Sequence, residues 1–593
     1  MTRMDTSRRD VAADTTVAVQ AMARMAGEPD VQPEALAQIS TSIAGAEQRI
    51  GAAAVRQAFV QAVVDRQPKS AAGGEAAIAT SNPAATRAGT RVLEAGGNAV
   101  DAACAAALAM TVADPANASV AGRCHIMIRT WDGHTLVVDG ATQAPADMPV
   151  RPGQPPGIGG VPVPGMLPAL GLAAQKGSWP WTDLCVPAIE LAENGFDIPR
   201  GLATAWQNQR DRLASHSHAA RFFLKPDGTA WRAGERFRQP ALAQFLRRVA
   251  EDGPRGLHEG DVAGEIARQI TEEGGCVGEK NLAAYRALRG ARAEGEYRNW
   301  RFVTTGGQAW GHTLVEMLHI ADRFGFSGAD WSPEETEMLA LAILVALNDR
   351  PHEIGTLRPK ADGLPLDVLA DRAFAADRAR LIERLIHADG SARDVELRGL
   401  IDGIRSTREG DTTHLSVVDS EGTAVALTCS IGPHFGSAVA SARHGFLFAH
   451  SYRMLSDPTP GARDATEMCP SIFIAPDGRV VAVGAAGSEL IPGAVALTMV
   501  NLLGHGWSEL QSVAAPRMNW KFGHLRAHCD LAPATLCHLR QRGFPMELTG
   551  RGYFNHVGVV HLAARNAAGQ CSAAADTALD GVAAAPSVDG DVQ

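Results

Sequence analysis

Two periodicities divide this chain. Between residues 83 and 405 apolar positions recur mostly at helical spacing, whereas after Asp411 they alternate. Ala76-Ala77-Ile78-Ala79-Thr80 predicts a strand, and 83–95 a helix with Ala88, Val92 and Leu93 turned inward. Gly96-Gly97 then predicts a helix stop, and Asn98 the N-cap of an alanine-rich helix whose small residues allow close backbone approach. Further helices are predicted over 184–194 (ending at Gly195), 241–250, 261–271 and 313–321, with a buried one over 338–347. A charged helical stretch over 359–405 leads into a connector at 406–410. Beyond it, 412–418, a turn at 419–422, and 423–430 read as strand, turn and strand. The arrangement repeats over 471–475, Pro476-Asp477-Gly478 and 479–484, and helical text returns at 493–503 and 533–543. Helices mixed with hairpins in this order predict a layered α/β architecture.

At 593 residues the chain is long enough for one large or two intimately packed domains. Residues 1–75 read as a helical extension and linker, with Leu36, Ile39, Ile43 and Ile50 at roughly helical spacing and a small, charged linker over 65–74. A hydrophobic content of 46%, a charged content of 20% and a net charge of −10, without a basic cluster interleaved with aromatics, argue against a nucleic-acid partner. Arg8-Arg9 lacks the apolar run of an export signal, and the longest apolar stretches, 102–113 and 338–347, are too short to cross a bilayer. Nine scattered cysteines without a C-x-x-C pair suggest buried thiols in a reducing compartment, hence a cytoplasmic location, no membrane partner and no metal site.

The residues with chemistry concentrate where the period changes. Asp411-Thr412-Thr413-His414 opens the first alternating strand. A cut before Thr412 would give one residue both a hydroxyl nucleophile and a free α-amine to act as its base. The competing reading is a structural, threonine-rich strand start. No G-x-S-x-G, H-E-x-x-H, Walker loop or dinucleotide fingerprint supports another enzyme class.

Four segments in one order carry a family resemblance: Gly96-Gly97-Asn98-Ala99-Val100-Asp101-Ala102-Ala103; Gly165 followed by Pro187-Ala188-Ile189-Glu190-Leu191-Ala192; Leu282-Ala283-Ala284-Tyr285; and Thr412-Thr413-His414-Leu415-Ser416-Val417-Val418-Asp419. Together, from about Ala76 to Ala584, they resemble the γ-glutamyltransferase family. The resemblance implies the αββα sandwich of N-terminal-nucleophile hydrolases, made as a precursor that cuts itself between Asp411 and Thr412. It implies a large subunit over 76–411 and a small one over 412–593, so that fragments 1–411 and 412–593 form a heterodimer. Further dimerisation is compatible with it. The implied reaction is acyl transfer from a small-molecule amide through a Thr412 acyl-enzyme, with no cofactor. Ser430 takes the place of the family's hydroxyl partner of the nucleophile, and Gly487-Ser488 that of its oxyanion-hole glycines.

The pocket departs from the family pattern. Ala141 stands where a carboxylate-binding arginine is expected, and Thr466-Glu467 where two serines are. Gly432, Ser451 and Met454 stand where the family holds an α-amino group. Losing the arginine removes the strongest anion anchor, and Glu467 would repel a carboxylate. Arg123 and His125 add a charge and a titratable ring, with His450, Arg443, His444 and Arg453 as further pocket candidates; a surface position or an internal ion pair is the competing fate of Arg123. His414 reads as a packed strand residue. These features predict an active amidohydrolase or acyltransferase with non-γ-glutamyl specificity. The alternatives are γ-glutamyl transfer or glutathione hydrolysis in a rebuilt pocket, and an unprocessed, inactive relative serving as a binding or scaffold protein.

Overall fold

The computed structural model describes residues 69–149, 157–326, 331–351, 360, 363–388, 390–404, 411–551, 556–578 and 580–587, together with 38 and 41–44. The helical spacing expected over 33–64 therefore lies almost entirely outside the described residues. Ser70–Gly74, within the stretch read as a linker, is instead an edge strand paired with Cys571–Ala575.

Two seven-stranded antiparallel sheets face each other. The first runs, neighbour to neighbour, through Val582–Ala584, Ala76–Thr80, Asp411–Asp419, Ala424–Gly432, Arg123–Arg129, Thr135–Gly140 and Leu288–Arg289. The second runs through Ser70–Gly74, Cys571–Ala575, Val559–Arg565, Val480–Ala486, Ser471–Ile474, Trp300–Thr305 and Arg292–Tyr297. Both predicted hairpins are present, Asp411–Asp419 with Ala424–Gly432 and Ser471–Ile474 with Val480–Ala486. Their turns use Gly422 and Gly478 at φ +91° and +86°, conformations open to a residue without a Cβ.

Three cores follow from strand alternation. Helices Pro83–Glu94 and Ala99–Ala113 cover the outer face of the first sheet, and helices Gly311–Phe324, Pro333–Asp349 and Ile491–Met499 that of the second. Between the sheets lies a thin core of small side chains, among them Ala77, Ala79, Val418, Ala426, Ala482 and Ala563. Small residues suit sheets packed face to face with little room between them. This is the αββα layering that the family resemblance implies.

The entry to the long buried helix is built as its sequence predicts. Asn98 caps Val100 and Asp101 N–H groups, and Asp101 returns a bond to the Asn98 N–H at 3.0 Å, a reciprocal capping box. Asp419, at the end of the hairpin strand, accepts from Ala99 N–H at 3.0 Å and so ties this helix to the strand that begins at Thr412. Helix 493–503 differs from its prediction: the regular helix is Ile491–Met499, and Val500–Gly504 continues as a wider turn in which His505 N–H reaches back to Val500 O.

Candidate active site at the Thr412 strand

Strand register places the nucleophile candidate. Asp411 pairs with Gly432 and Thr413 with Cys429, with an irregularity between them, so Thr412 lies opposite the Ser430–Ile431 segment. On the next strand Ser430 pairs with Arg123. Alternation then sorts the faces. Thr413 turns to the helix layer, its hydroxyl 3.5 Å from Met110 Sδ, while His414 turns between the sheets toward Thr428. Thr412, Ser430 and Arg123 thus line one row at the end of the inter-sheet face.

From the opposite sheet the strand Val480–Ala486 runs into Gly487, whose N–H donates to Thr412 Oγ1 at 2.8 Å. Gly487 has φ +126° and the following Ser488 φ +54°. A Cβ on Gly487 would lie 2.9 Å from His556 Cε1 and 3.3 Å from Gly558 Cα, so glycine here permits both the backbone turn and the close approach. Ser430 Oγ accepts from Gly432 N–H at 2.9 Å. Thr412 is 8% exposed, a hydroxyl near the surface with a backbone donor already aimed at it.

Around this row lies a polar cluster that the sequence reading found only in part. Arg123 Nη1 approaches Asp464 Oδ2 at 3.4 Å, Ser451 Oγ donates to Asp464 Oδ1 at 2.6 Å, and the Thr142 hydroxyl bonds the same carboxylate. Arg123 therefore has the internal ion-pair partner of the competing reading, and its Nε remains buried without a hydrogen bond. Asp464 and Thr142 were not singled out from the sequence, because no local pattern marks an acid whose partners lie on other strands.

His125 sits one row further from the strand ends, paired across the ladder with Asp139, their closest side-chain atoms 3.9 Å apart. Burial lowers the pKa of His125, with Asp139 opposing that effect. His450 N–H donates to Ile431 O at 2.8 Å, and the His450 backbone abuts Gly432. Burial, with Arg212 and Arg123 adding to it, brings the His450 imidazole down to about 4, so the ring is neutral at pH 7. Met454, fully buried, packs with Ala144 and Met148. The substrate-side candidates thus include an uncharged ring, a buried thioether and an arginine paired with a carboxylate.

The remaining candidates separate. Thr466 N–H donates to Gln308 O at 3.3 Å, which brings Glu467 beside the segment carrying Trp310. There Arg350 stacks 3.5 Å from the Trp310 ring centroid and donates to Thr313 Oγ1 at 2.9 Å. Burial lowers the Arg350 pKa to about 9, with the charges of Glu467 and Glu316 opposing that effect. Arg443 and His444 are drawn away to Glu265 on helix Gly260–Glu272, and Arg453 pairs with Asp457 at 3.2 Å. Among the described residues no group of three or more His, Cys, Asp and Glu is arranged to hold a metal ion, and no helix is long and apolar enough to cross a membrane. All nine cysteines are free thiols.

Known proteins resemble this chain over most of its length. Residues 85–586 match the pattern of the gamma-glutamyltranspeptidase family. The chain is 29% identical over 506 residues to the acylase ACY 1 proenzyme of Pseudomonas sp. strain SE83, covering 80% of this chain and 88% of that one. It is 28% identical over 505 residues to the glutathione hydrolase proenzyme of Escherichia coli K12, covering 79% and 85%. The crystal structure of cephalosporin acylase from Bacillus halodurans shares the fold at a TM-score of 0.73 and 23% identity, covering 87% of this chain and 96% of that one. With the family pattern spanning most of the chain and the two-sheet sandwich in place, this protein belongs to the gamma-glutamyltranspeptidase family.

Proposed function

We propose that this protein is a self-processing amidohydrolase or acyltransferase whose nucleophile is Thr412, with a specificity other than γ-glutamyl. The observation that carries the reading is the 2.8 Å bond from Gly487 N–H to Thr412 Oγ1, made across the sandwich with Ser430 beside it on the neighbouring strand. In the maturation step Thr412 Oγ attacks the Asp411 carbonyl carbon. The peptide C–N bond breaks, its nitrogen takes the hydroxyl proton and becomes the Thr412 α-amine, and water hydrolyses the resulting ester. The products are fragments 1–411 and 412–593, which stay together because their strands alternate within one sheet: Asp411–Asp419 lies between Ala76–Thr80 and Ala424–Gly432. Several relatives are themselves named as proenzymes.

In turnover the α-amine takes the Thr412 hydroxyl proton as Oγ attacks a substrate amide carbonyl. The leaving amine takes that proton as the C–N bond breaks, and water or an acceptor amine resolves the acyl-enzyme ester. The N–H groups of Gly487 and Ser488 are assigned to the developing oxyanion. The pocket argues against γ-glutamate: Ala141 offers no cation, Arg123 is engaged by Asp464, and Gly432, Ser451 and Met454 offer no carboxylate for an α-amino group. A small amide with an uncharged acyl group suits these residues, in keeping with a relative named as an acylase.

Intact mass of the purified chain tests the first half. A fragment beginning at Thr412 is expected, Thr412→Ala should leave a single 62.3 kDa species, and a wild-type chain that stays whole would overturn the reading. A γ-glutamyl p-nitroanilide tests the second half; turnover at rates typical of enzymes, about 1–10³ per second, would refute the specificity.

A further inference from the structure

One end of the inter-sheet face, directly behind Thr412, is polar where the core beside it is apolar and mostly alanine and valine. His414 and His561, on facing sheets, are fully buried and lie parallel, with ring centroids 6.5 Å apart and an interplanar angle of 8°. Two serines bridge them, and one placement of the protons satisfies the bonding capacity of every group. The Ser416 hydroxyl lies 3.2 Å from His561 O, which can only accept, so its proton points there. Ser416 Oγ must then accept from His414 Nε2–H at 2.9 Å, and the bare His414 Nδ1 accepts from the Thr428 hydroxyl at 2.8 Å. On the facing ring, Asp576 N–H donates to His561 Nδ1 at 3.2 Å, so His561 Nε2–H donates to Ser81 Oγ at 3.0 Å. Ser81 passes its own proton to His414 O and accepts from His414 N–H, both at 3.3 Å. Each hydroxyl proton is used once, and an added proton on His561 would confront the Asp576 N–H. A Cβ on Gly484 would overlap the His414 ring, so this strand can approach only as glycine.

The far end of the chain of bonds anchors the Gly487 loop as well. Asp576 accepts from Val560 N–H at 3.0 Å and Ala578 N–H at 2.9 Å, and pairs with the fully buried Arg517. Arg517 also donates to Gly558 O at 2.8 Å, and Gly558 is one of the two residues on which Gly487 packs. One buried ion pair thus holds the backbone beside Gly487 directly, while the Thr412 strand is reached from Asp576 through His561 and Ser81.

We infer that His414, His561, Ser81 and Ser416 form an uncharged hydrogen-bonded clamp, seated on Asp576–Arg517, that sets the separation between Thr412 Oγ1 and the Gly487 N–H. These are positioning residues. Their catalytic consequence rests on Thr412 being the nucleophile; their geometric consequence does not. Burial keeps both rings neutral: His561 falls to about 3 even with Asp576 opposing, Lys69 and Arg517 adding to the fall, and His414 falls well below its ordinary value through burial, with His561 adding to it.

Three measurements on the full chain test the clamp. Neutron diffraction at pH 6 should place a deuteron on Nε2 and none on Nδ1 of both rings; a deuteron on either Nδ1 would overturn the proton assignment. Crystal structures of Thr428→Val and His414→Leu should show the Thr412 Oγ1 to Gly487 N distance stretched beyond hydrogen-bonding range, about 3.5 Å, and an unchanged distance would overturn the positioning role. In cell-free translation His414→Leu should slow the cut at Thr412 about 10²-fold, as expected for a misplacement near 1 Å. His414→Gln, which restores an N–H near the Nε2 position, should recover most of that loss. A soluble His414→Leu chain cut at the wild-type rate would overturn the clamp. A wild-type chain that is never cut would sink the nucleophile assignment instead, leaving the two diffraction tests to decide the clamp.

Discussion

Gly487→Ala isolates the contact on which the active-site reading turns. Gly487 has φ +126° and ψ 31°, outside the region that L-residues occupy comfortably, and an added methyl carbon would stand 2.9 Å from His556 Cε1. Holding a side-chain-bearing residue in such a conformation costs about 1–3 kcal/mol. The overlap with His556 and with Gly558 Cα at 3.3 Å adds to it. The cheapest relief is a shift of the loop away from Thr412, because Ala486 just before it is fixed by pairing with Val559. That shift withdraws the N–H that now lies 2.8 Å from Thr412 Oγ1. Removing one donor from an oxyanion site slows reactions about 10²–10³-fold, or about 3–4 kcal/mol. The assay is a gel time course of the cut at Thr412 in freshly translated chain, beside a thermal melt to confirm folding. Ser488→Gly is the control: it keeps the backbone donor, relieves a residue held at φ +54°, and should leave the rate unchanged with a melt equal to or above wild type. A folded Gly487→Ala chain cut as fast as wild type would refute the reasoning.

Other consequences are as direct. Arg517→Met strands the buried Asp576 carboxylate and should cost about 3–5 kcal/mol in denaturant unfolding; adding Asp576→Leu should return part of it, and a neutral single variant would contradict the ion pair's place. Burial raises the Glu489 carboxyl to about 7 from its ordinary 4.5, against the pull of Lys521 and with Glu467 adding to the rise. The folded chain then holds a proton that the unfolded chain has released between those two values, so this group's contribution is fully present below 4.5 and is lost as pH rises through 7. The difference corresponds to about 3 kcal/mol. Glu489→Gln should flatten that fall in unfolding free energies measured from pH 4.5 to 8, and an unaltered slope would show that Glu489 is not its source. Ser430→Ala should slow the cut at Thr412 while Ser430→Thr, keeping the hydroxyl, preserves it; equal rates for both would remove Ser430 from the site.

The hairpin strands and the cap of the helix at Asn98 were readable because each is a local matter. Alternation over seven residues, an Asp-Gly turn, or an Asn three residues before an Asp fixes backbone conformation within a few bonds of itself. Arg292–Tyr297 is an edge strand whose inward side carries only Ala293, Gly295 and Tyr297, a weak apolar signal, whereas Trp300–Thr305 beside it has buried Trp300, Phe302 and Val303 that did offer one. Among the candidate site residues named from the sequence, Thr412, Ser430 and Gly487 are brought together by the fold. Asp464 and the His561–Asp576–Arg517 group were missed. A usable signal did exist for part of that group: His414, Ser416, Thr428 and His561 are polar residues at inward positions of otherwise apolar strands, where a side chain needs a partner.

By itself the sequence determined the order of elements, the family, and a threonine at the head of an alternating strand. Those properties depend on residue type and short-range spacing. Which face Thr412 looks toward, that Gly487 meets it from the opposite sheet, and that Asp464 takes up the charge of Arg123 were decided by tertiary structure alone. Thr412 and Gly487 are 75 positions apart in the chain, and Arg123 and Asp464 are 341. Nothing in either local stretch constrains the other until two sheets close on a layer of small side chains. Closure at that spacing leaves buried polar groups only each other to bond with, and it is this requirement that sets the site.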